Sequence, residues 1–406
     1  MGTNVVLEQI TIQMKTSVNT DSVEVTVVIP CLNEEETIGR CIEKALRAFD
    51  RLNISGEVVV ADNGSKDRSL DIAQNKGARV IHQPLKGYGN ALRAGIEAAE
   101  GDFIIMGDAD DSYDFSDIGK FVEKYRKGYE LVMGCRLPCG GGTIMPGAMP
   151  WMHRWLGNPV LSKIGRLFFK SKITDFHCGL RGLTKHAYKK MRLNTTGMEF
   201  ASEMVIKSTL GSTQMTEVPI TLFKDGRSGP PHLRSWRDGW RHLRFMLLYC
   251  PRWLFLYPSL FLIFFGLTAI SLTLPGPLTI KGINFSTNTM MIGALATILG
   301  VQILSFAISS RLFAYNEGFL SRDSKLVRLL RNFKLEIGLA IGILLTILGL
   351  GAVVFILFYW KQLNFGDLPR ELVLRIIIPG VTAIVTGVQI VFSSFFISFL
   401  NLERRR

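Results

Sequence analysis

Four long stretches in the second half of the chain hold no acidic or basic residue: Leu254 to Leu274, Ile283 to Ser310, Ile337 to Trp360 and Ile376 to Leu402. Each exceeds the roughly 20 residues a helix needs to cross a bilayer core, and four in succession with few charges between them suit a soluble core poorly. The sequence therefore predicts an α-helical transmembrane domain over residues 251–406, with about four spans near 254–274, 287–310, 337–360 and 376–400. With 48% apolar and 20% charged residues among 406, the average conceals two halves, a charged globular one and a membrane one.

Charge placement predicts the orientation. Residues Met1 to Asp21 carry Glu8, Lys15 and Asp21 and no apolar core segment, so no secretory signal is read there and the N-terminal domain is expected in the cytosol. Arg311, Arg322, Lys325, Arg328, Arg331 and Lys334 lie between the second and third spans, and Arg404, Arg405 and Arg406 end the chain, whereas the first outer loop holds only Lys281. The loop after the third span is mixed, with Lys361, Arg370 and Arg375 set against Asp367 and Glu371. The expectation is a multi-pass integral membrane protein, of the cell membrane or its equivalent, with a cytosolic N-terminal domain. Much of the net charge of +13 then forms a collar facing the lipid bilayer, and nucleic acid is not expected as a partner. The six cysteines are scattered without paired zinc spacing and read as reduced structural thiols.

After an N-terminal tail (1–22), residues 23–226 alternate strand and helix patterns. Val23 to Ile29 is a β-branched run, followed by a helical pattern to about Leu52, a strand at Glu57 to Ala61, a helix near Asp67 to Lys76 and a short strand from Ala78 to His82. A helix from Gly89 to Ala99 and a strand from Phe103 to Met106 complete the alternation. Such alternation predicts right-handed βαβ units in a Rossmann-like, mostly parallel sheet, whose ligands sit beyond the carboxyl ends of the strands. Acidic residues occupy those ends: Glu34 after the first strand, Asp62 after the second, and Asp108, Asp110 and Asp111 after the fourth. No Gly-rich phosphate loop follows the first strand, so something else must neutralise bound phosphate. Asp108 and Asp110, two apart at a strand end, point to Mg²⁺ or Mn²⁺, which takes oxygen ligands and bridges phosphates.

The strings Val27-Val28-Ile29-Pro30-Cys31-Leu32-Asn33-Glu34, Asp62-Asn63-Gly64-Ser65-Lys66-Asp67, Lys86-Gly87-Tyr88-Gly89-Asn90-Ala91 and Asp108-Ala109-Asp110, in this order, resemble family 2 glycosyltransferases of the GT-A fold. The resemblance covers about residues 23 to 230 and is nearest to the polyprenyl-phosphate and dolichyl-phosphate hexosyltransferases, dolichol-phosphate mannose synthase among them. It implies an α/β GT-A catalytic domain ahead of the membrane helices. A nucleotide-diphosphate sugar of UDP-glucose or GDP-mannose type is the implied donor, and polyprenyl or dolichyl phosphate the implied acceptor. By the same resemblance, Pro30, Asn33, Glu34, Asp62, Lys86, Asp108 and Ala109 line the nucleotide-sugar pocket. Asp108 contacts the ribose or the metal, and Asp110 is the main metal ligand. Where the longer family motif has a Gln, this chain has Asp111-Ser112-Tyr113, which leaves the third metal contact unassigned.

Met133-Gly134-Cys135-Arg136 and Asp175-Phe176-His177-Cys178-Gly179-Leu180-Arg181 resemble two further family segments, which imply phosphate binding by Arg136 and Arg181. Gly140 to Pro150 reads as a mobile loop, either a lid or membrane-dipping segment or a plain connector. Gly197 to Glu203 resembles the acidic segment near the acceptor. A lipid phosphate is already ionised at neutral pH, so Glu203 is expected to position rather than act as an essential base.

Residues 227–250 read as an interfacial juxtamembrane segment. Trp236, Trp240, Leu243 and Leu247 share a helical face beside Arg237, Arg241 and Arg244, the pattern of a helix lying in the headgroup plane. Arg227, His232 and Arg234 are its candidates for the acceptor phosphate. Gly338, Gly342, Gly349 and Gly351 suit close helix packing within one chain or between chains, and the resemblance admits a homo-oligomer.

Two other functions compete. A processive polysaccharide synthase calls for a Gln-x-x-Arg-Trp segment before the pore, and Tyr249-Cys250-Pro251-Arg252-Trp253 lacks the Gln. Its channel also needs polar lining residues that the spans hardly contain. A non-catalytic nucleotide-sugar or lipid-binding subunit of a flippase complex is disfavoured by the intact Asp108 and Asp110.

Overall fold

The β-branched run near residue 25 is enclosed on both faces, as a central strand of a parallel sheet must be. A computed structural model describes residues 22–228, 235–316 and 335–401. Strand β1 (Val25–Cys31) lies between β2 (Gly56–Asp62) and β4 (Phe103–Met106), parallel to both, and β3 (Arg79–His82) adds outside β2. Helices α1 (Ile38–Leu52), α2 (Ser69–Asn75) and α3 (Tyr88–Ala98) make the crossovers. The strand runs through Pro30, past the Ile29 boundary read from the sequence. Val28 O accepts from Gly107 N on the β4 side and Cys31 O from Asn63 N on the β2 side. Pro30 therefore turns its missing donor toward β4, whose pairing with β1 has already ended at Met106 opposite Val28.

Beyond β4 come helix α4 (Ile118–Arg126) and strands β5 (Leu131–Cys135), β7 (Arg181–Thr184) and β8 (Met215–Pro219). The seven-stranded order is β3-β2-β1-β4-β7-β5-β8, with β7 antiparallel to both neighbours. This is the mostly parallel GT-A-type sheet expected. Residues 140–150 are not a free loop: β6 (Thr143–Ile144) pairs in parallel with β9 (Thr221–Leu222). A Cβ on Gly142 would lie 2.1 Å from Cys135 O, so only glycine lets this turn close. A π-helical turn (His153–Gly157) then leads into α5 (Asn158–Phe169), and α6 (Lys185–Met191) and α7 (Phe200–Leu210) complete the domain.

Helix α8 (Ser235–Tyr249) buries His242 and Met246 and exposes Trp240 and Leu248. The chain divides into two compact units after Met246, inside this helix, whereas the sequence boundaries fall at 226 and 250. Among its described residues the second unit contains four helices long and apolar enough to cross a membrane: Arg252–Thr273, Thr287–Phe313, Leu335–Gln362 and Arg370–Asn401. The first is a π-helical turn continued by α9 (Tyr257–Thr273); the others are α10 (Thr287–Asn316), α11 (Leu335–Gln362) and α12 (Arg370–Asn401). The uncharged stretch begins at Ile283, and the second span begins at Thr287, as expected. Lys281 and Gly282 at positive φ turn the chain between β10 (Leu278–Ile280) and β11 (Ile283–Phe285), and the helix begins afterwards. The fourth helix starts at Arg370 rather than 376, with Glu371 and Arg375 paired at 3.1 Å on its first turns. Small residues set the helix spacing. A Cβ on Gly349 would meet Gly380 O at 2.4 Å and one on Gly342 would meet Gly387 O at 2.7 Å, so both glycines serve packing within the chain, while Gly351 faces open space. The basic residues from 322 to 334 and from 404 to 406, with the N-terminal tail, lie outside the described residues.

Candidate active site

The site lies where β1, β2 and β4 end, and the loops that follow β1, β2 and β3 exchange hydrogen bonds beside it. Asn33, at φ 55°, donates its N–H to Ser65 Oγ (3.0 Å) and accepts from Lys66 N at Oδ1 (2.8 Å), and Glu34 N donates to Ser69 Oγ (2.8 Å). Asp62 is buried and accepts from Gly64 N (3.1 Å) and Ser65 N (2.9 Å), with His82 Nδ1 at 2.9 Å. Burial alone would raise its pKa, yet the Ser65, His82 and Gly64 hydrogen bonds together pull it below the usual carboxylate range. Asp62 is thus held ionised as a loop organiser. Asn63 continues the lacing: Nδ2 donates to Gln83 O and Leu85 O, and Oδ1 accepts from Gly87 N at 2.7 Å. That fixes the loop that presents exposed Lys86.

Glu34, Asp108 and Asp110 converge on one side of this platform. Asp108 Oδ1 accepts from Tyr88 Oη at 2.9 Å, at the first residue of α3. Asp110 Oδ1 accepts from Ser112 N (3.0 Å) and Ser112 Oγ (2.6 Å), which leaves Oδ2 facing outward. Ala109 between them is buried and accepts from Cys41 Sγ at its carbonyl, at 3.4 Å. Asp111, at φ 62°, turns away to Lys44 Nζ (2.7 Å). Burial, and next the charge of Asp110, push Asp108 up to about 6; burial lifts Glu34 to about 7 against the pull of Arg227.

The counter-charge is Arg227. Its Nη1 lies 2.9 Å from Glu34 Oε1 and its Nη2 2.8 Å from Asp110 Oδ2. A cation between these oxygens is what the all-oxygen carboxylate set favours, and the guanidinium stands in for it. Gly179 shapes the far wall, since a Cβ there would fall 2.5 Å from Asp108 Oδ2. Asp108 and Asp110 have the oxygen chemistry a hard divalent cation such as Mg²⁺ or Mn²⁺ takes, but no three His, Cys, Asp or Glu side chains among the described residues are grouped to hold one, so a substrate's phosphate oxygens would have to complete the ligand set.

Arg136 and Arg181, expected on phosphate, turn inward instead. Arg136 holds Asp175 through Nε (2.8 Å) and Nη2 (2.9 Å), and its Nη1 reaches Tyr113 Oη (3.2 Å). Arg181 is fully buried and donates to Cys178 O and to Ala201 O, the latter at 2.7 Å. Every nitrogen of both guanidinium groups has a protein acceptor. Glu203 is enclosed likewise: it accepts from Asn194 N, Thr195 N and Thr195 Oγ1 (2.7 Å) and pairs with Lys207 Nζ at 2.7 Å. Burial works against these bonds, but they keep its carboxyl below the ordinary range, so it fastens the 194–196 loop as an anion. That loop covers α3, where Gly89 N donates to Thr196 O. Pro30 sits at the mouth of β1, and His232 and Arg234 lie outside the described residues.

The sequence alone did not single out Tyr88, Tyr113 or Asp175. Tyr113 Oη accepts from Gly179 N at 2.8 Å while meeting Arg136, so Asp175, Arg136, Tyr113 and Gly179 form a buried relay ending beside Asp108. The signal available was a Tyr between two glycines at a helix start and an Asp two residues before His177. Also unforeseen is the exposed apolar edge of residues 151–167, where Trp151, Trp155, Leu156, Val160 and Leu167 face outward.

A mostly parallel sheet with carboxylates at its strand ends is followed, among the described residues, by four apolar helices. The glycosyl transferase family 2 profile matches residues 26–192, and that of the glycosyltransferase family 2 C-terminal transmembrane region matches 308–401. The low-salt glycan biosynthesis hexosyltransferase Agl6 of Haloferax volcanii is 37% identical over 377 residues, covering 93% of this chain and 89% of that protein. The chain belongs to glycosyltransferase family 2. A dolichyl-phosphate hexose transferase of the same organism is 30% identical over 201 residues, 48% of this chain and 82% of that protein. Glucosyl-3-phosphoglycerate synthase from Mycobacterium tuberculosis, solved with Mn²⁺, UDP and glucosyl-3-phosphoglycerate, overlays at TM-score 0.43 with 19% identity. That overlay covers 55% of this chain and 77% of that one and bears on neither ligand nor chemistry.

Proposed function

We propose that this enzyme transfers a hexose, with inversion, from a nucleotide-diphosphate sugar to polyprenyl or dolichyl phosphate at the cytosolic membrane face. The observation that carries the reading is the meeting of Glu34 and Asp110 on one cationic group, close to Asp108 at the strand ends, in a chain with four apolar helices among its described residues. The name of the dolichyl-phosphate hexose transferase supports the acceptor class, and the basic residues flanking the spans support the orientation. The donor nucleotide lies over Pro30, Asn33, Asp62 and Lys86. Asp108 and Asp110 would hold a divalent cation, which would supply charge to stabilise the departing diphosphate.

An ionised oxygen of the acceptor phosphate attacks the anomeric carbon, the bond from that carbon to the diphosphate oxygen breaks, and the nucleoside diphosphate leaves with the electron pair. No base is required, which agrees with a Glu203 fully engaged by Asn194, Thr195 and Lys207. Arg136 and Arg181 position from within. The exposed Trp and Leu edge at 151–167 and Trp240 on α8 suit insertion at the headgroup level, which brings the acceptor's phosphate within reach. Incubating the purified chain in nanodiscs with labelled nucleotide sugars, polyprenyl phosphate and Mn²⁺ tests the proposal. The expected product is one hexose per lipid from one preferred donor; long polymer, or label released only as free sugar, would contradict it.

A further inference from the structure

Phe223 to Ser228 leave β9 and cross the ends of β1 and β4 as a strap. Phe223 N donates to Ser112 O (2.9 Å), Gly226 N to Asp110 O (2.9 Å) and Ser228 N to Glu36 Oε2 (2.8 Å). Between the last two contacts Arg227 inserts its guanidinium between Glu34 and Asp110, with Asp225 at 3.7 Å, and its side chain is only 14% exposed. The strap is thus anchored on both carboxylate loops, and the Arg227 guanidinium lies on Asp110 Oδ2, the oxygen that Ser112 leaves outward.

We infer that Arg227 is a built-in plug of the cation site: it neutralises Glu34 and Asp110 while the enzyme is unloaded, and a divalent cation must displace it to reach Asp110. This rests on the reading of Asp108 and Asp110 as cation ligands. The planar fork of Arg bridges two carboxylates well but brings one charge, whereas Mg²⁺ or Mn²⁺ brings two and ligates the same oxygens directly. Both cannot occupy Asp110 Oδ2 at once. Exchange strips the guanidinium of a buried partner, so it leaves together with Gly226 and Ser228, which ride on the same strap. Arg227 is also one of the three candidates, with His232 and Arg234, that the sequence offers for the acceptor phosphate, so release by the cation would free it for that phosphate. Donor loading and acceptor capture become ordered, donor first.

The test measures Mn²⁺ binding calorimetrically on the full chain without sugar nucleotide, for wild type, Arg227→Gln, Arg227→Lys and Asp110→Asn. Arg227→Gln is expected to bind Mn²⁺ about tenfold or more tightly than wild type, since two charge-assisted contacts no longer compete. Arg227→Lys, which keeps a charge but not the fork, is expected between them and serves if the Gln variant does not fold. A fluorophore on Lys224→Cys, in a Cys139→Ser background because Cys139 is the exposed native thiol among the described residues, reports the strap. Its emission is expected to change with the same Mn²⁺ midpoint as the heat. Equal or weaker Mn²⁺ affinity in Arg227→Gln, or a silent probe while Mn²⁺ binds, overturns the plug. If Asp110→Asn abolishes binding and Arg227→Gln leaves it unchanged, the plug alone fails. If neither wild type nor Arg227→Gln binds Mn²⁺, the cation reading fails and the plug with it.

Discussion

Replacing Asp175 by Ala removes the anion that holds Arg136. Asp175 has no exposed surface and accepts from Arg136 N (3.0 Å), Nε (2.8 Å) and Nη2 (2.9 Å), while Arg136 is 7% exposed and would retain only Tyr113 Oη as a side-chain partner. Breaking a buried ion pair by deleting one member costs about 3–5 kcal/mol, because the remaining charge stays desolvated. For a unit of this size each kcal/mol moves the unfolding midpoint by about 2–4 °C, so a fall of roughly 6–20 °C is expected. The buried thiols Cys31, Cys41, Cys135 and Cys178 provide the assay, since a thiol-reactive fluorogenic dye labels them only as the domain opens. The double replacement Arg136→Met with Asp175→Leu is expected to recover most of the loss, as no unpaired charge then remains inside. The relay through Tyr113 to Gly179 also makes Asp175→Ala weaken Mn²⁺ binding. A midpoint shift under about 3 °C for the single variant, or no recovery in the double one, would refute the reasoning.

Three further outcomes are expected. Burial, followed by the nearby His242, Arg136 and Arg181, holds His177 well below the ordinary imidazole value. An unfolded His gains its proton near pH 6.5 while the folded one does not, so this contribution is present above that pH and lost below it, by up to about 1.4 kcal/mol per pH unit. Glu34 and Asp108 oppose this trend with raised values, so the comparison is the acid shift of the dye midpoint in wild type minus that in His177→Leu, and equal shifts would contradict it. Mn²⁺ affinity is expected to fall on acidification from about pH 7.5 to 5.5, because Asp108 at about 6 and Glu34 at about 7 take up competing protons; a flat profile by calorimetry would count against these groups. Gly179→Ala places a methyl 2.5 Å from Asp108 Oδ2 and is expected to weaken Mn²⁺ binding at a stability cost of about 1–3 kcal/mol, read by calorimetry beside the dye assay.

Much of the fold was legible because its signals are local. β-branched runs such as Val25 to Ile29 become buried strands, and Asp62, Asp108 and Glu34 fall at the strand ends because a parallel sheet places those ends together. The four spans read from apolar length alone, although the fourth helix begins at Arg370, ahead of its uncharged run, because charged residues can occupy its first turns. What sequence spacing cannot convey is the direction of a side chain. Arg136 and Arg181 stand in motifs suited to phosphate, yet Asp175, 39 residues beyond Arg136, turns one inward and the carbonyls of Cys178 and Ala201 take the other. Arg227 lies 117 residues after Asp110, and only the strap from β9 brings them together. Pairings over such separations depend on the whole chain path.

The most direct test of the central claim is single-turnover transfer of labelled hexose to polyprenyl phosphate in nanodiscs, comparing wild type with Asp110→Asn at saturating donor and Mn²⁺. The account expects label in the lipid fraction for wild type, its loss on chelation of the metal, and a fall of about a hundredfold or more in Asp110→Asn, the size typical of removing one group that stabilises transition-state charge. Lipid-linked hexose formed at an undiminished rate by Asp110→Asn, or by wild type after chelation, would contradict it.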